Sequence, residues 1–125
     1  MDKTNKKFDL EERTAKFGKD VINFIKTLDR NDINRPLINQ MIRSATSIGA
    51  NYMEANGASS KKDFRNKICI CKKEARETKY WLTIVSEANP ERSENCKTIW
   101  QEAQELTLIF SKIIISCENK TPNEI

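Results

Sequence analysis

Apolar residues in this chain recur at alternating intervals of three and four, the spacing that returns side chains to one face of an α-helix. The first such ladder is Leu10, Thr14, Phe17, Val21, Phe24 and Leu28. It predicts a helix over roughly residues 9–28, with Asp9 as its N-cap. The polar run from Asp29 to Asn34 breaks the pattern. A second helix then spans about 34–56, capped by Asn34, with Pro36 in the first turn, where a missing N–H has no intrahelical partner to lose. Its apolar ladder is Ile38, Met41, Ala45, Ile48, Tyr52 and Ala55.

That second helix carries another ladder at the same spacing, and this one is small or polar: Gln40, Ser44, Ser47, Asn51 and Glu54. A helix with one solvent face would place mostly long charged side chains there, whereas small ones let a neighbouring backbone come close. The pattern therefore predicts neighbours on two sides. Gly49, in the middle of the helix, costs about 1 kcal/mol relative to alanine, a cost that a close helix approach would justify.

Ser60 followed by Asp63 reads as a capping box with the shorter acid. It opens a third helix over about 60–88, with the ladder Phe64, Ile68, Cys71, Ala75, Thr78, Leu82 and Val85, stopped by Asn89 and Pro90. A fourth, over about 91–119, carries Cys96, Ile99, Ala103, Leu106, Phe110, Ile113 and Cys117. Residues before Phe8 and after Asn119 read as short flexible tails. Four amphipathic helices with short connections predict an all-α, antiparallel up-down four-helix bundle, one domain across residues 1–125.

Composition supports this reading. Three glycines and three prolines among 125 residues suit long helices, and the chain is large enough to bury a core without staples. The four cysteines form no C-x-x-C pair and there is no histidine, so they read as small hydrophobes in a reducing compartment. No apolar run approaches the ~20 residues of a membrane span, and the segment MDKTNKKFDLEER lacks an apolar signal core. A cytoplasmic location is expected, with no membrane partner.

Charge singles out the third helix. From Lys61 to Lys79 it holds Lys61, Lys62, Arg65, Lys67, Lys72, Lys73, Arg76 and Lys79 against Asp63, Glu74 and Glu77, while the whole chain is only +4. Arg65, Lys72, Arg76 and Lys79 fall on one line along the helix. A line of cations is the footprint expected for tracking phosphates, so Lys61, Lys62, Arg65, Lys72, Arg76 and Lys79 are the candidate contacts to RNA or DNA. Tyr80 and Trp81 read as packing aromatics. No groove-reading module is present, so such contacts would be to the backbone. The alternative is a protein-interaction adaptor whose basic face docks an acidic partner.

The last helix is apolar around most of its circumference. Trp100, Leu108, Ile109, Ile114 and Ile115 lie beside or opposite its ladder. Surface of that kind marks association, so Trp100, Leu108, Ile109 and Ile115 are expected in a homo-oligomer interface. Catalysis is not expected. Histidine, a G-x-S-x-G elbow, a phosphate-binding loop and a dinucleotide fingerprint are all absent. Glu54, Glu74 and Glu77 without histidine make a poor di-metal site and fit ion pairs with Arg43 better, so no cofactor or metal is expected.

Three segments carry a resemblance in register: SIGANYMEA at Ser47 to Ala55, KKDF at Lys61 to Phe64, and KEARETKYWL at Lys73 to Leu82. Together they resemble the bacterial four-helix-bundle proteins named for reading frames in intervening sequences of 23S ribosomal RNA genes, over about Phe17 to Phe110. The resemblance implies the bundle fold, ring-like homopentamers, and kinship with the accessory variability proteins of diversity-generating retroelements. Those have basic surfaces and work with a reverse transcriptase and its template RNA. A pentamer and a reverse-transcriptase partner are thus expectations from kinship. The family name itself describes gene location.

Overall fold

A computed structural model describes residues 6–123, with side chains described from Leu10 to Glu118. Four helices run α1 (Lys6–Ile25), α2 (Asn34–Asn56), α3 (Lys61–Ala88) and α4 (Ser93–Asn123), with a 3-10 turn at Pro90–Arg92 before the last. Long-range contacts fix the directions. Thr14 lies against Gly49 and Gly18 against Thr46; Arg43 meets Glu74 while Lys67 meets Glu54; Arg65 meets Glu118 while Lys79 meets Gln104. Rising numbers in one helix pair with falling numbers in the next, so the chain is an antiparallel up-down bundle.

The apolar ladders become the core. Leu10, Phe17, Val21, Phe24 and Leu28 face Ile38, Met41, Ala45, Ile48 and Tyr52, and Ile68, Cys71, Ala75, Leu82 and Val85 join Cys96, Ala103, Leu106 and Phe110. Full burial of one such side chain contributes roughly 1.5–3 kcal/mol relative to leaving it exposed. Thr14 and Thr78, the threonines of the ladders, are buried without orphaned groups, because each donates within its own helix, to Glu11 O and Glu74 O.

Several boundaries depart from the periodicity. Helix α1 begins at Lys6, so Asp9 lies inside its first turn and is not the cap. The helix ends at Ile25, three residues before Leu28, because the chain tightens there: Thr27 N–H donates to Phe24 O and Leu28 N–H to Ile25 O. Leu28 is buried nonetheless. At the start of α2, Asn34 is not the cap either. The carboxamide of Asn31 accepts from the backbone N–H groups of Ile33 and Asn34. Asn34 instead turns inward and exchanges two side-chain hydrogen bonds, 3.0 and 2.9 Å, with Asn89. This buried clasp ties the α1–α2 loop to the α3–α4 turn, and Asp29 O and Val85 O accept the remaining N–H groups. Ser60 does cap α3, accepting from Asp63 N–H. Helix α4 starts at Ser93, after the 3-10 turn, and runs to Asn123, past the Asn119 boundary. Residues 1–5 and 124–125, the outer ends of the expected tails, lie outside the described residues.

Gly49 has the reason that its position demanded. It is helical, with no positive φ, and a Cβ built there would stand 3.4 Å from both the carbonyl and the hydroxyl oxygen of Thr14. The missing methyl lets α1 cross α2 closely.

Candidate nucleic-acid interface

Helix α3 sits between α2 and α4, so its basic residues divide between two flanks. On the α2 side every described cation is matched. Arg43 of α2 donates to Glu74 at 3.2 Å and reaches Glu77 at 2.8 Å, while Lys67 pairs with Glu54 at 2.9 Å. Glu74 is buried, and Arg43 holds the Glu77 carboxyl below its ordinary range. Two of the three acids thus serve in ion pairs with Arg43. Glu54 is exposed and serves Lys67 instead. Under these pairs, the hydroxyls of Ser44 and Thr78 meet at 2.8 Å. The small-residue ladder of α2 therefore packs on α3 at Ser44; its ends, Gln40 and Glu54, are exposed.

The α4 side carries the predicted line of cations, and the structure splits it. Arg65, at one end, is bonded to Glu118. Lys79, at the other, donates to Gln104 and lies 5.1 Å from the centroid of the Trp100 ring. Desolvation, reinforced by the charge of Arg76, holds its ammonium pKa down. Both are engaged within the bundle, and Lys61 also has a partner. Lys62, Lys72 and Arg76 remain, joined by Lys73. None of these four makes an ion pair or a side-chain hydrogen bond among the described residues. Lys72, Lys73 and Arg76 border a shallow depression with Cys69 and Glu77.

One aromatic reads differently in three dimensions. Trp81 packs against the core as expected, but Tyr80, one turn after Arg76, is 56% exposed and meets Trp81 edge-on at 5.0 Å. In the sequence Tyr80 reads as a packing aromatic, and the signal against that reading is its spacing of four residues from Arg76. A base could stack on this ring while its phosphates meet the cations.

The apolar surface of α4 divides as well. Trp100, Ile109 and Ile114 are partly buried against the core, the first under Lys79. Leu108 and Ile115 are left outward, each 53% exposed. Of the expected interface residues, Trp100 and Ile109 are thus already largely occupied by the protomer's own packing.

The cysteines behave as packing residues where they are buried. Burial pushes the Cys71 thiol up to about 12 and that of Cys96 to about 11, far from the thiolate that metal binding or nucleophilic attack requires. Among the described residues, no group of three or more acids and thiols is placed to hold a metal ion, and no helix is long and apolar enough to cross a membrane.

Known proteins place the chain. No curated protein sequence matches it. A crystal structure of a protein of unknown function from the S23 ribosomal protein family of Bacteroides thetaiotaomicron is similar, with 33% identity and a TM-score of 0.73, over 83% of this chain and 96% of that one. Residues 6–116 match the family described as 23S rRNA-intervening sequence protein. With nearly all of its helical length inside that match, and the same fold in a solved relative, this chain belongs to the 23S rRNA-intervening sequence protein family.

Proposed function

We propose that the protein is a non-catalytic scaffold, assembled from several copies, that holds nucleic acid by its backbone along the open part of α3. The observation that carries this is a cluster of four unpaired cations on one helix, whereas the other exposed lysines without an ion pair among the described residues, Lys19, Lys26, Lys97 and Lys112, are scattered over the rest of the surface. Elsewhere the bundle matches its inter-helix cations with acids: Arg13 with Glu102 and Glu105, Arg43 with Glu74 and Glu77, Lys67 with Glu54, Arg65 with Glu118. Lys62, Lys72, Lys73 and Arg76 are left unpaired on one helix, beside an exposed tyrosine. Unpaired cations beside an exposed ring suit phosphates and a stacked base.

The test is polarisation of a labelled generic RNA or duplex DNA at two salt concentrations. Each phosphate contact lowers the log–log salt slope by about 0.9 on duplex DNA. Lys72→Gln with Arg76→Gln should weaken binding about tenfold at moderate salt, for all sequences alike, and flatten the slope by roughly two. Arg65→Gln with Lys79→Gln should change it far less, since both are already engaged. Absence of wild-type binding near 50 mM salt, where electrostatic association is strong, overturns the proposal in favour of an adaptor that docks an acidic protein.

A further inference from the structure

The two tyrosines of the chain are placed for different work. Tyr52 is buried in the core and meets the Phe110 ring at 6.4 Å. Tyr80 is the only aromatic among the described residues that turns most of its surface to solvent, and its hydroxyl makes no hydrogen bond among them. The ring is steadied from one side, where it meets Trp81 edge-on at 5.0 Å, and Trp81 in turn packs against the core. At least one face of Tyr80 therefore stands open.

The surroundings of that ring are asymmetric in charge. Lys72, Arg76 and Tyr80 follow one another at intervals of four residues, each step about 6 Å along the helix, so the three share one face of α3. Glu77, the acid that borders the depression of Lys72, Lys73 and Arg76, is already engaged by Arg43 at 2.8 Å. Beyond Tyr80 the character reverses. Glu87, one heptad on and so near the same face, is exposed and makes no ion pair among the described residues. Its carboxylate repels phosphates. The open cations thus lie to one side of the ring only, over about 12 Å from Lys72 to Tyr80.

We infer that this face takes an unpaired strand of RNA or DNA in preference to a duplex, with one base laid on the Tyr80 ring. The inference rests on the reading of α3 as a nucleic-acid surface and adds which form of nucleic acid fits it. Duplex and single strand both offer phosphates, so Lys72, Lys73 and Arg76 alone do not discriminate. The ring does. Inside a duplex both faces of each base are covered by its neighbours, and opening a step to admit a side chain is costly. An unpaired base presents a free face whatever its identity. The Glu87 carboxylate then sets the placement, because it keeps the phosphates on the Lys72 side of the stacked base.

Fluorescence polarisation of the full chain near 50 mM salt, where electrostatic association is strong, tests this with three probes of equal length: oligo-dT, oligo-rU and a mixed-sequence DNA duplex. Both single strands should bind at least several-fold more tightly than the duplex, and the tighter of the two identifies the sugar of the natural strand. Tyr80→Ala should weaken single-strand binding roughly tenfold and leave duplex binding nearly unchanged. Tyr80→Phe keeps the ring and should bind as wild type does. Helical circular dichroism should be the same in all three proteins, since the side chain lies outside the core. Duplex affinity equal to or above that of the single strands overturns this inference while leaving the backbone-binding proposal standing, and so does single-strand affinity that survives Tyr80→Ala. Failure of the wild type to bind any of the three probes overturns both.

Discussion

The two flanks of α3 hold similar numbers of charged side chains and use them in opposite ways. On the flank against α2, Arg43 lies between Glu74 and Glu77, Lys67 meets Glu54, and the hydroxyls of Ser44 and Thr78 join beneath them. On the flank against α4, acceptors are found only at the ends, where Glu118 takes Arg65 and Gln104 takes Lys79. Between those ends lie Lys72 and Arg76, which border an outer depression with Cys69, Lys73 and Glu77, and α4 offers no carboxylate from Leu106 to Cys117. The difference teaches that a basic helix acquires an open cationic surface where the neighbouring helix withholds acids. The number of lysines is secondary. The first flank is built for cohesion and the second leaves its middle available.

The most severe break falls on the cohesive flank. Ser44 is fully buried against Thr78, so Ser44→Leu forces extra methylenes into a filled seam and should cost about 1–3 kcal/mol, read as a lowered urea midpoint. Ser47, half-exposed one turn along, should accept leucine at a cost below about 0.5 kcal/mol. Equal costs would show that α2 and α3 are not in close contact at Ser44.

A smaller effect comes from removing the arginine that serves two acids. Arg43→Met strands the buried Glu74 carboxylate. A fully buried pair would lose about 3–5 kcal/mol, but Arg43 is 45% exposed and water screens what remains, so about 1–2 kcal/mol is expected. The pH dependence has a definite sign. Arg43, chiefly through its hydrogen bond, holds the Glu77 carboxyl below its ordinary 4.5. The resulting stability is present at neutral pH and is lost as pH falls through that lowered value. The gap between wild type and Arg43→Met should therefore narrow in acid, as measured by melting temperature from pH 7 to pH 3. A gap that stays constant would mean that the arginine acts only by packing.

The smallest effect should come from the far flank. Lys79 loses solvation in the seam, which together with the charge of Arg76 lowers its ammonium pKa from the ordinary value, and recovers part of the loss from Gln104 and the Trp100 ring. Lys79→Met removes both the penalty and the compensation, so stability should move by less than about 0.5 kcal/mol. Nucleic-acid affinity should barely change, although Lys79 belongs to the same sequence line as Lys72 and Arg76. A large loss of binding would place Lys79 among the open cations after all.

The helices were legible because burial imposes a period on the sequence. Every member of the α1 and α2 apolar ladders is buried, as are six of the seven in α3, with Phe64 partly buried. The cap of α3 was legible for a similar reason, since Ser60 and Asp63 act across three residues. The cap of α2 was not. Asn31 and Asn34 are the same residue type at nearby positions, and their roles are decided by Asn89, 55 residues away. The outcome at Arg65 was equally hidden, because its partner Glu118 is 53 residues distant. In α4, periodicity marked an excess of apolar surface but could not divide it between Trp100, which packs under Lys79, and Leu108, which faces outward.

The sequence by itself determined the number of helices, the face each one buries, the close approach at Gly49 and the kinship of the chain. The first two depend on a spacing that repeats along one helix; the approach at Gly49 showed through a glycine that a helix interior otherwise disfavours, and the kinship through three motifs in register. Which cations stay open, which apolar residues stay exposed, and which asparagine caps and which one clasps were decided only by the tertiary structure. They depend on the register of one helix against another, and that register is set by packing the whole core, so no single segment contains it.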